Sequence, residues 1–172
     1  MTDSIPDDAT EGTRWLGAEQ QRAWRAYMIG TILLTDRLDA ELRQEFGIGL
    51  NEYEVLVRLS EREDRQLRMS ALADAMRFSR SRVTHTIKRM EAAGLVSRGD
   101  ATGDGRGVTA KLTDHGLQVL VRAAPRHVDG VRAHLVDLVD QDDFAAMGRV
   151  MDTVVDRLAA AHPEADLRTH GS

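Results

Sequence analysis

The chain has 172 residues and a formal net charge of −5, and 42% of its residues are hydrophobic but only 4% aromatic. This length is sufficient for one domain with a buried core, and the composition implies a core of Leu, Val, Ile, Met and Ala, which favours a mainly helical protein. Because the sequence contains no cysteine, it excludes disulfides, thiolate metal sites and redox-sensing thiols.

The N-terminal third predicts a polar arm followed by two helices. Residues 1–12 are acidic and contain Pro and Gly, which is typical of a disordered arm and unlike a signal peptide or a membrane anchor, so a cytoplasmic location is expected. Apolar residues recur at spacings of three and four over residues 18–45, which predicts a long helix ending near Phe46. A shorter helix is predicted over residues 51–60, followed by a charged turn over residues 61–66.

Residues 70–92 have the pattern of two short helices joined by a tight turn. Ser70 is the predicted N-cap of the first helix, and Ser79 is the predicted N-cap of the second. On the second helix Val83, Ile87 and Met90 fall on one side, whereas basic and hydroxyl side chains occupy the others. This pattern predicts a helix-turn-helix.

Two alternating segments follow and predict a β-ribbon wing. Gly94 is the expected stop of the second helix, and residues 95–98 and 108–112 alternate like strands around a Gly-rich tip. Between Arg77 and Lys111 there are eight Lys and Arg against three Asp and Glu, so this segment carries +5 and the remainder carries −10. A basic island in an acidic protein indicates a polyanionic partner.

The C-terminal part predicts two further helices. Thr113 can cap a long helix that contains Pro125, and Asp140 can cap a last one. The predicted organisation is a disordered arm (1–12), an N-terminal dimerisation helix (13–47), a winged helix-turn-helix domain (48–112), C-terminal dimerisation helices (113–162) and a frayed tail (163–172).

The flanking helices carry apolar stripes that no other helix in the chain is large enough to cover, which predicts a homodimer. The expected interface comprises Trp15, Trp24, Leu34, Phe144, Met147, Met151, Val154 and Leu158. A two-fold dimer would present two recognition helices to half-sites about 34 Å apart on one face of double-stranded DNA. The predicted partner is therefore a pseudo-palindromic operator.

The central motif reads Ser79-x-Ser81-x-x-Thr84, Ile87-x-Arg89-x-Glu91-x-x-Gly94-Leu-Val-x-Arg98, Asp104-x-Arg106 and Leu112-Thr-x-x-Gly116. In this order, with helices on both sides, it resembles the MarR family of winged helix-turn-helix transcriptional regulators over about residues 18–160. The resemblance implies a mainly α fold with a small β wing. It also implies a repressor that a small anionic or aromatic ligand releases. The wing departs from the family's common Asp-x-Arg-Arg at Gly107, and His85 stands where the family often has Arg or Ser.

Twelve residues form the predicted DNA-contact set: Ser70, Ser79, Arg80, Ser81, Arg82, Thr84, His85, Lys88, Arg89, Arg98, Asp104 and Arg106. Those placed to reach base edges are Arg82, Thr84 and His85. Those expected to contact phosphates are Ser79, Ser81 and Lys88. Arg89 either contacts DNA or turns inward to pair with Glu91 or Asp74. Arg98 is either a phosphate clamp or a partner of Asp104.

The resemblance also assigns roles in the wing and a place for an effector. It implies that Arg106 enters the minor groove, where a narrow groove concentrates negative potential, and that Asp104 steadies it. It places the effector cleft between the dimerisation helices and the winged unit. The candidate ligand residues are Trp24, Tyr27, Tyr53 and His115, of which Trp24 and Tyr27 are also candidates for the dimer core.

Three alternatives remain beside this interpretation. His127 and His134 are seven apart and could share a helix face in a metal-responsive regulator, although neither a metal nor another cofactor is predicted. An architectural DNA-binding protein would usually spread its charge more widely than this confined basic patch. An enzyme is not expected, because the sequence has no nucleophile elbow, phosphate-binding Gly-rich loop or HExxH pair.

Overall fold

The computed structural model describes residues 12–100 and 107–159. The elements within them are α1 (Ala18–Phe46), α2 (Leu50–Ser60), β1 (Gln66–Arg68), α3 (Met69–Met76), α4 (Arg80–Ala92), β2 (Val96–Asp100), β3 (Val108–Leu112), α5 (Asp114–His134) and α6 (Gln141–Ala159). The mainly α fold with a small β wing is confirmed. Most of the predicted disordered arm, the predicted frayed tail, Asp104 and Arg106 lie outside the described residues.

The wing belongs to a three-stranded antiparallel sheet with the strand order β1-β3-β2. In the register, Leu67 of β1 and Arg98 of β2 both face Ala110 of the central strand. The sequence predicted β2 and β3 but missed β1. Three residues are too few to show an alternating pattern, and the strand exists because β3, some forty residues later, supplies its partner.

Three of the four predicted helix caps are confirmed. The backbone N–H of Arg82 donates to the Ser79 hydroxyl at 3.2 Å. The backbone N–H of Gly116 donates to the Thr113 hydroxyl at 2.9 Å. The backbone N–H of Asp143 donates to the Asp140 carboxylate at 2.8 Å. The prediction for Ser70 is wrong, because α3 already begins at Met69 and its N-cap is Arg68, without a side-chain cap. The physical reason is that β1 runs directly into α3, so the sheet fixes the extended residue that precedes the helix.

Replacing Ser79 by alanine should lower the free energy of unfolding by about 1 kcal/mol, because a helix N–H loses its acceptor. Ser70→Ala is the matched control, since Ser70 caps nothing and should change stability by no more than about 0.5 kcal/mol. Urea unfolding of both variants measures the difference. Equal losses would mean that the Ser79 cap contributes nothing specific.

The chain divides into two compact units after Leu34, and the larger unit, which begins at Thr35, contains the core. The largest fully buried side chains are Leu56, Leu59, Leu72, Ile87, Met90, Val55 and Val96. They come from α2, α3, α4 and β2, and burial of each large aliphatic side chain contributes about 1.5–3 kcal/mol. The predicted apolar side of the second helix-turn-helix helix is thus confirmed as buried, and this burial fixes which side of α4 remains outside.

The smaller unit contains the N-terminal part of α1. Its exposed large apolar side chains are Trp15, Leu16, Trp24, Tyr27, Met28, Ile29, Ile32 and Leu33. The rings of Trp24 and Tyr27 lie 6.0 Å apart between centroids. These side chains give the smaller unit an apolar surface.

Helix α6 in the larger unit has no buried residue, although it is strongly amphipathic. Met147, Val154 and Leu158 are exposed, and Phe144 and Met151 are half-buried. These five residues are the C-terminal part of the predicted dimer interface. Among the described residues, no helix combines the length and the apolar character that a membrane span requires.

Candidate nucleic-acid interface

Helix α4 separates a buried side from an outer face. Val83, Thr86, Ile87 and Met90 are buried. At about 3.6 residues per turn, Ser81, His85 and Lys88 fall on the opposite side, and all three are exposed. We call these three residues the outer face of α4. It combines a hydroxyl, an imidazole and an ammonium group, which can donate hydrogen bonds to base edges and phosphates.

A groove of about 490 Å³ lies beside the outer face, between α3, α4 and the sheet. Its lining residues are Arg68, Met69, Ser70, Arg80, Thr84, Arg98, Gly107 and Val108. We call it the wing groove. Four predicted DNA-contact residues line it, namely Ser70, Arg80, Thr84 and Arg98. The Thr84 hydroxyl donates to the Arg80 carbonyl at 2.8 Å, so only its acceptor capacity is left for a partner.

Arg98 joins the wing to α4. Its Nε and Nη2 lie 2.8 and 2.6 Å from Glu91 Oε2, and its backbone N–H donates to Glu91 Oε1 at 3.2 Å. The hydrogen bond from Arg98 holds the pKa of the Glu91 carboxyl below its usual range. Neither of the two roles predicted for Arg98 included this ion pair. It fixes β2 against α4 and thereby positions the groove wall.

The other flank of α4 is held by contacts within the protein. The guanidinium carbon of Arg82 lies 3.7 Å from the centroid of the Phe78 ring, which is a cation–π contact. Arg89 bonds to Glu52 of α2, with Nε and Nη2 both 2.6 Å from Oε1. Of the two alternatives for Arg89, this ion pair corresponds to pairing within the protein, but the partner is Glu52 and not Glu91 or Asp74.

Sequence reasoning missed Glu52, which is only 5% exposed. Its second carboxylate oxygen accepts the backbone N–H of Gly49, so it also caps the start of α2. A glutamate three residues after a glycine, just before an apolar run, is a weak signal of such a cap. Nothing local indicates its ion pair with a residue 37 positions later.

The candidate ligand residues occupy different places. Tyr53 is buried in the core with its ring 4.6 Å from that of His127, whereas His115 is exposed near the start of α5. Burial raises the pKa of Tyr53 and lowers that of His127. Trp24 and Tyr27 lie on the N-terminal part of α1 with exposed side chains. Tyr53 and His115 thus differ in their exposure to solvent.

The two histidines considered for a metal have other neighbours. The His127 ring lies against the Tyr53 ring at a tilt of 40°, and His134 Nε2 lies 2.9 Å from Glu41 Oε1. Within residues 12–100 and 107–159, no three His, Asp or Glu side chains come together as metal ligands.

A helix-turn-helix with a β wing, an outer face that carries hydrogen-bond donors, and long flanking helices defines a winged-helix DNA-binding protein. A model of the MarR family matches residues 46–107. The MarR family transcriptional regulator AbsC from Streptomyces coelicolor is 42% identical, covers 86% of this chain and 99% of its own, and superposes with a TM-score of 0.80. The chain belongs to the MarR family of transcriptional regulators.

Two further relatives agree with this assignment. Sco3205, a MarR family transcriptional regulator from Streptomyces coelicolor whose crystal structure is a complex with DNA, is 40% identical with a TM-score of 0.81, covering 91% of this chain and 97% of its own. The HTH-type transcriptional regulator PecS from Dickeya dadantii (strain 3937) is 28% identical over 131 residues, which are 72% of this chain and 79% of PecS. This chain is accordingly a DNA-binding regulator of transcription and not an enzyme.

Proposed function

We propose that the protein is a homodimeric repressor that binds a pseudo-palindromic operator in double-stranded DNA and is released by a small-molecule effector. The observation that carries the proposal is the outer face of α4, which lies opposite the buried side and next to the wing groove. A helix of this kind fits the major groove, where every base pair presents a distinct pattern of donors and acceptors. The relative Sco3205 has been crystallised in complex with DNA, which supports this use of the fold.

The contacts divide by position on the domain. His85 and Arg82 read base edges, and the Phe78 ring holds the guanidinium of Arg82 in one place before DNA arrives. The phosphate contacts are Ser70, Ser79, Arg80, Ser81 and Lys88, while Thr84 offers an acceptor to a base edge. Arg98 joins them when its guanidinium leaves the partly exposed carboxylate of Glu91. By the family resemblance, Arg106 occupies the minor groove and Asp104 steadies it.

The dimer and the effector follow from different observations. The open apolar surfaces of α1 and α6 support a second copy of the chain as the partner of both, since burial of such surface is the main favourable term in association. The effector is proposed from the family resemblance. Trp24, Tyr27, Tyr53 and His115 remain its candidate contacts, although the burial of Tyr53 requires the core to open before a ligand could reach that ring.

Replacing Arg82 by alanine should weaken operator binding by about 1–3 kcal/mol and relax discrimination at one base pair per half-site. Replacing Lys88 by alanine should weaken operator and random DNA nearly alike, and the salt slope should fall by about one for each phosphate that the variant no longer neutralises. The operator is selected from a randomised duplex pool with the wild-type protein. Binding to it, to its point variants and to a random duplex is then measured at several salt concentrations.

Phe78→Leu is the matched variant for Arg82, because it keeps an apolar side chain but removes the aromatic face. We expect Phe78→Leu to lose part of the operator affinity that Arg82→Ala loses. Its affinity for random DNA should be unchanged. If the Arg82 and Lys88 variants lose affinity equally on every duplex, the division of α4 into reading and anchoring residues is wrong.

A further inference from the structure

The ion pair between Glu52 and Arg89 places a buried negative charge directly behind the DNA-contact helix. The Glu52 carboxylate is almost fully buried, and both of its oxygens are used: one by Arg89 and the other by the backbone N–H of Gly49. A buried carboxylate is costly unless it is paired and hydrogen-bonded. Arg89 is therefore the counter-charge that Glu52 requires.

Arg89 itself stands at the edge of the DNA-contact surface. It follows Lys88 of the outer face, and its side chain is 63% exposed even though its guanidinium is bonded to Glu52. On exposure and charge alone, it would be expected to bind a phosphate. The 2.6 Å contacts instead draw its charge toward α2, where the adjacent carboxylate largely cancels it.

Glu52 cannot follow Arg89 toward DNA, because the start of α2 is fixed from a second side. Asp39 of α1 accepts the backbone N–H of Leu50 at 2.8 Å, and Arg43 holds the Asp39 carboxylate at 2.6 Å. Arg43 Nη1 also lies 4.0 Å from Glu52 Oε2. The carboxylate therefore has a fixed position within the protein.

We propose that Glu52 is a specificity-determining residue that does not touch DNA: it keeps the charge of Arg89 away from the phosphates and so limits binding to random sequence. Non-specific binding is almost entirely electrostatic, and each added phosphate contact strengthens it without reading any base. A free arginine at this flank would raise affinity for every duplex and so dilute the discrimination of the operator. The inference rests on the DNA-contact surface proposed above.

The Glu52→Gln variant tests the inference, because glutamine keeps the size of the side chain and can still cap α2. The probes are the selected operator and a scrambled duplex of the same length, about 30 base pairs, which holds two half-sites one helical turn apart. We expect affinity for the scrambled duplex to rise several-fold and its salt slope to steepen by about 0.9 for each new phosphate contact. The ratio of operator to scrambled affinity should fall. A purely structural defect would instead weaken binding to both duplexes and would not make the salt slope steeper.

The double variant Glu52→Gln/Arg89→Gln removes the freed charge and leaves an uncharged pair. Its salt slope on the scrambled duplex should return to the wild-type value, which assigns the effect of Glu52→Gln to Arg89. The inference is overturned if Glu52→Gln leaves scrambled-duplex affinity and slope unchanged, or if the double variant keeps the steeper slope.

Lys88→Gln separates this inference from the function on which it rests. If Lys88→Gln lowers the salt slope while Glu52→Gln does nothing, the DNA-contact surface stands and only the role of Glu52 is refuted. If neither variant changes the slope, the outer face of α4 is not the DNA-contact surface, and both proposals fail.

Discussion

Replacing Gly116 by alanine should destabilise the protein by about 1–3 kcal/mol or more, because the start of α5 lies directly on the backbone of the segment before β2. An added Cβ would lie under 3.0 Å from the carbonyl oxygen of Leu95 and 2.9 Å from Cδ1 of Leu112. The close approach is enforced by Thr113, whose hydroxyl lies 2.7 and 3.0 Å from the carbonyl oxygens of Gly94 and Leu95. Since a backbone atom cannot move aside like a side-chain end, the helix itself must shift.

Thermal unfolding measures this loss, at about 2–4 °C for each kcal/mol in a protein of this size. Gly30→Ala is the control, for which we expect a gain in stability instead of a loss. Gly30 lies inside α1, and apart from the backbone of its own helix and its chain neighbours nothing lies within 4 Å of an added Cβ, so alanine there should stabilise the helix by about 0.5–1 kcal/mol. A Gly116→Ala variant as stable as the wild type would show that α5 does not lie against the backbone of Leu95.

Replacing Val154 by aspartate should dissociate the proposed dimer and, with it, remove operator binding. Val154 is 44% exposed in the single chain and lies on the apolar side of α6. In a dimer this side would be covered, and each buried, unpaired carboxylate would cost several kcal/mol. A cost of that size raises the dimer dissociation constant about a hundredfold or more. Operator affinity should fall with it, because one half-site provides only half of the contacts.

Thr153→Asp is the matched control, since it adds the same charge one residue earlier on the opposite, exposed side of α6. Sedimentation equilibrium over a range of protein concentrations, followed by operator titration, distinguishes the two variants. The expected result is a dimer for Thr153→Asp and a monomer for Val154→Asp. A wild-type protein that sediments as a stably folded monomer at micromolar concentration would refute the proposed interface directly.

The parts of the fold that local sequence determines were predictable. The caps at Ser79, Thr113 and Asp140 and the buried side of α4 all depend on residues within four positions of one another. These features follow from the helical period and from the need of the first N–H groups of a helix for an acceptor. Both can be recognised without knowing the rest of the chain.

The parts that depend on distant partners were not predictable. Strand β1 needs β3, and the inward turn of Arg89 needs Glu52, so no pattern within one segment contains either. The interaction of Arg82 with Phe78 spans only four positions, but Phe78 precedes the N-cap and therefore lies outside the helical period. The burial of Tyr53 depends on the packing of α5, which its own position on α2 does not reveal.

The pairing of β1 with β3 has a consequence for the order in which the domain assembles. Strands β2 and β3 are neighbours in sequence and can pair early, but β1 must wait until the intervening chain, with both helix-turn-helix helices, has returned to bring Leu67 opposite Ala110. Closing such a long segment costs conformational entropy before the pairing of the three-residue strand offsets any of that cost. The wing and the helix-turn-helix should therefore fold cooperatively, and a fragment that ends before β3 should leave α3 without the strand that starts it.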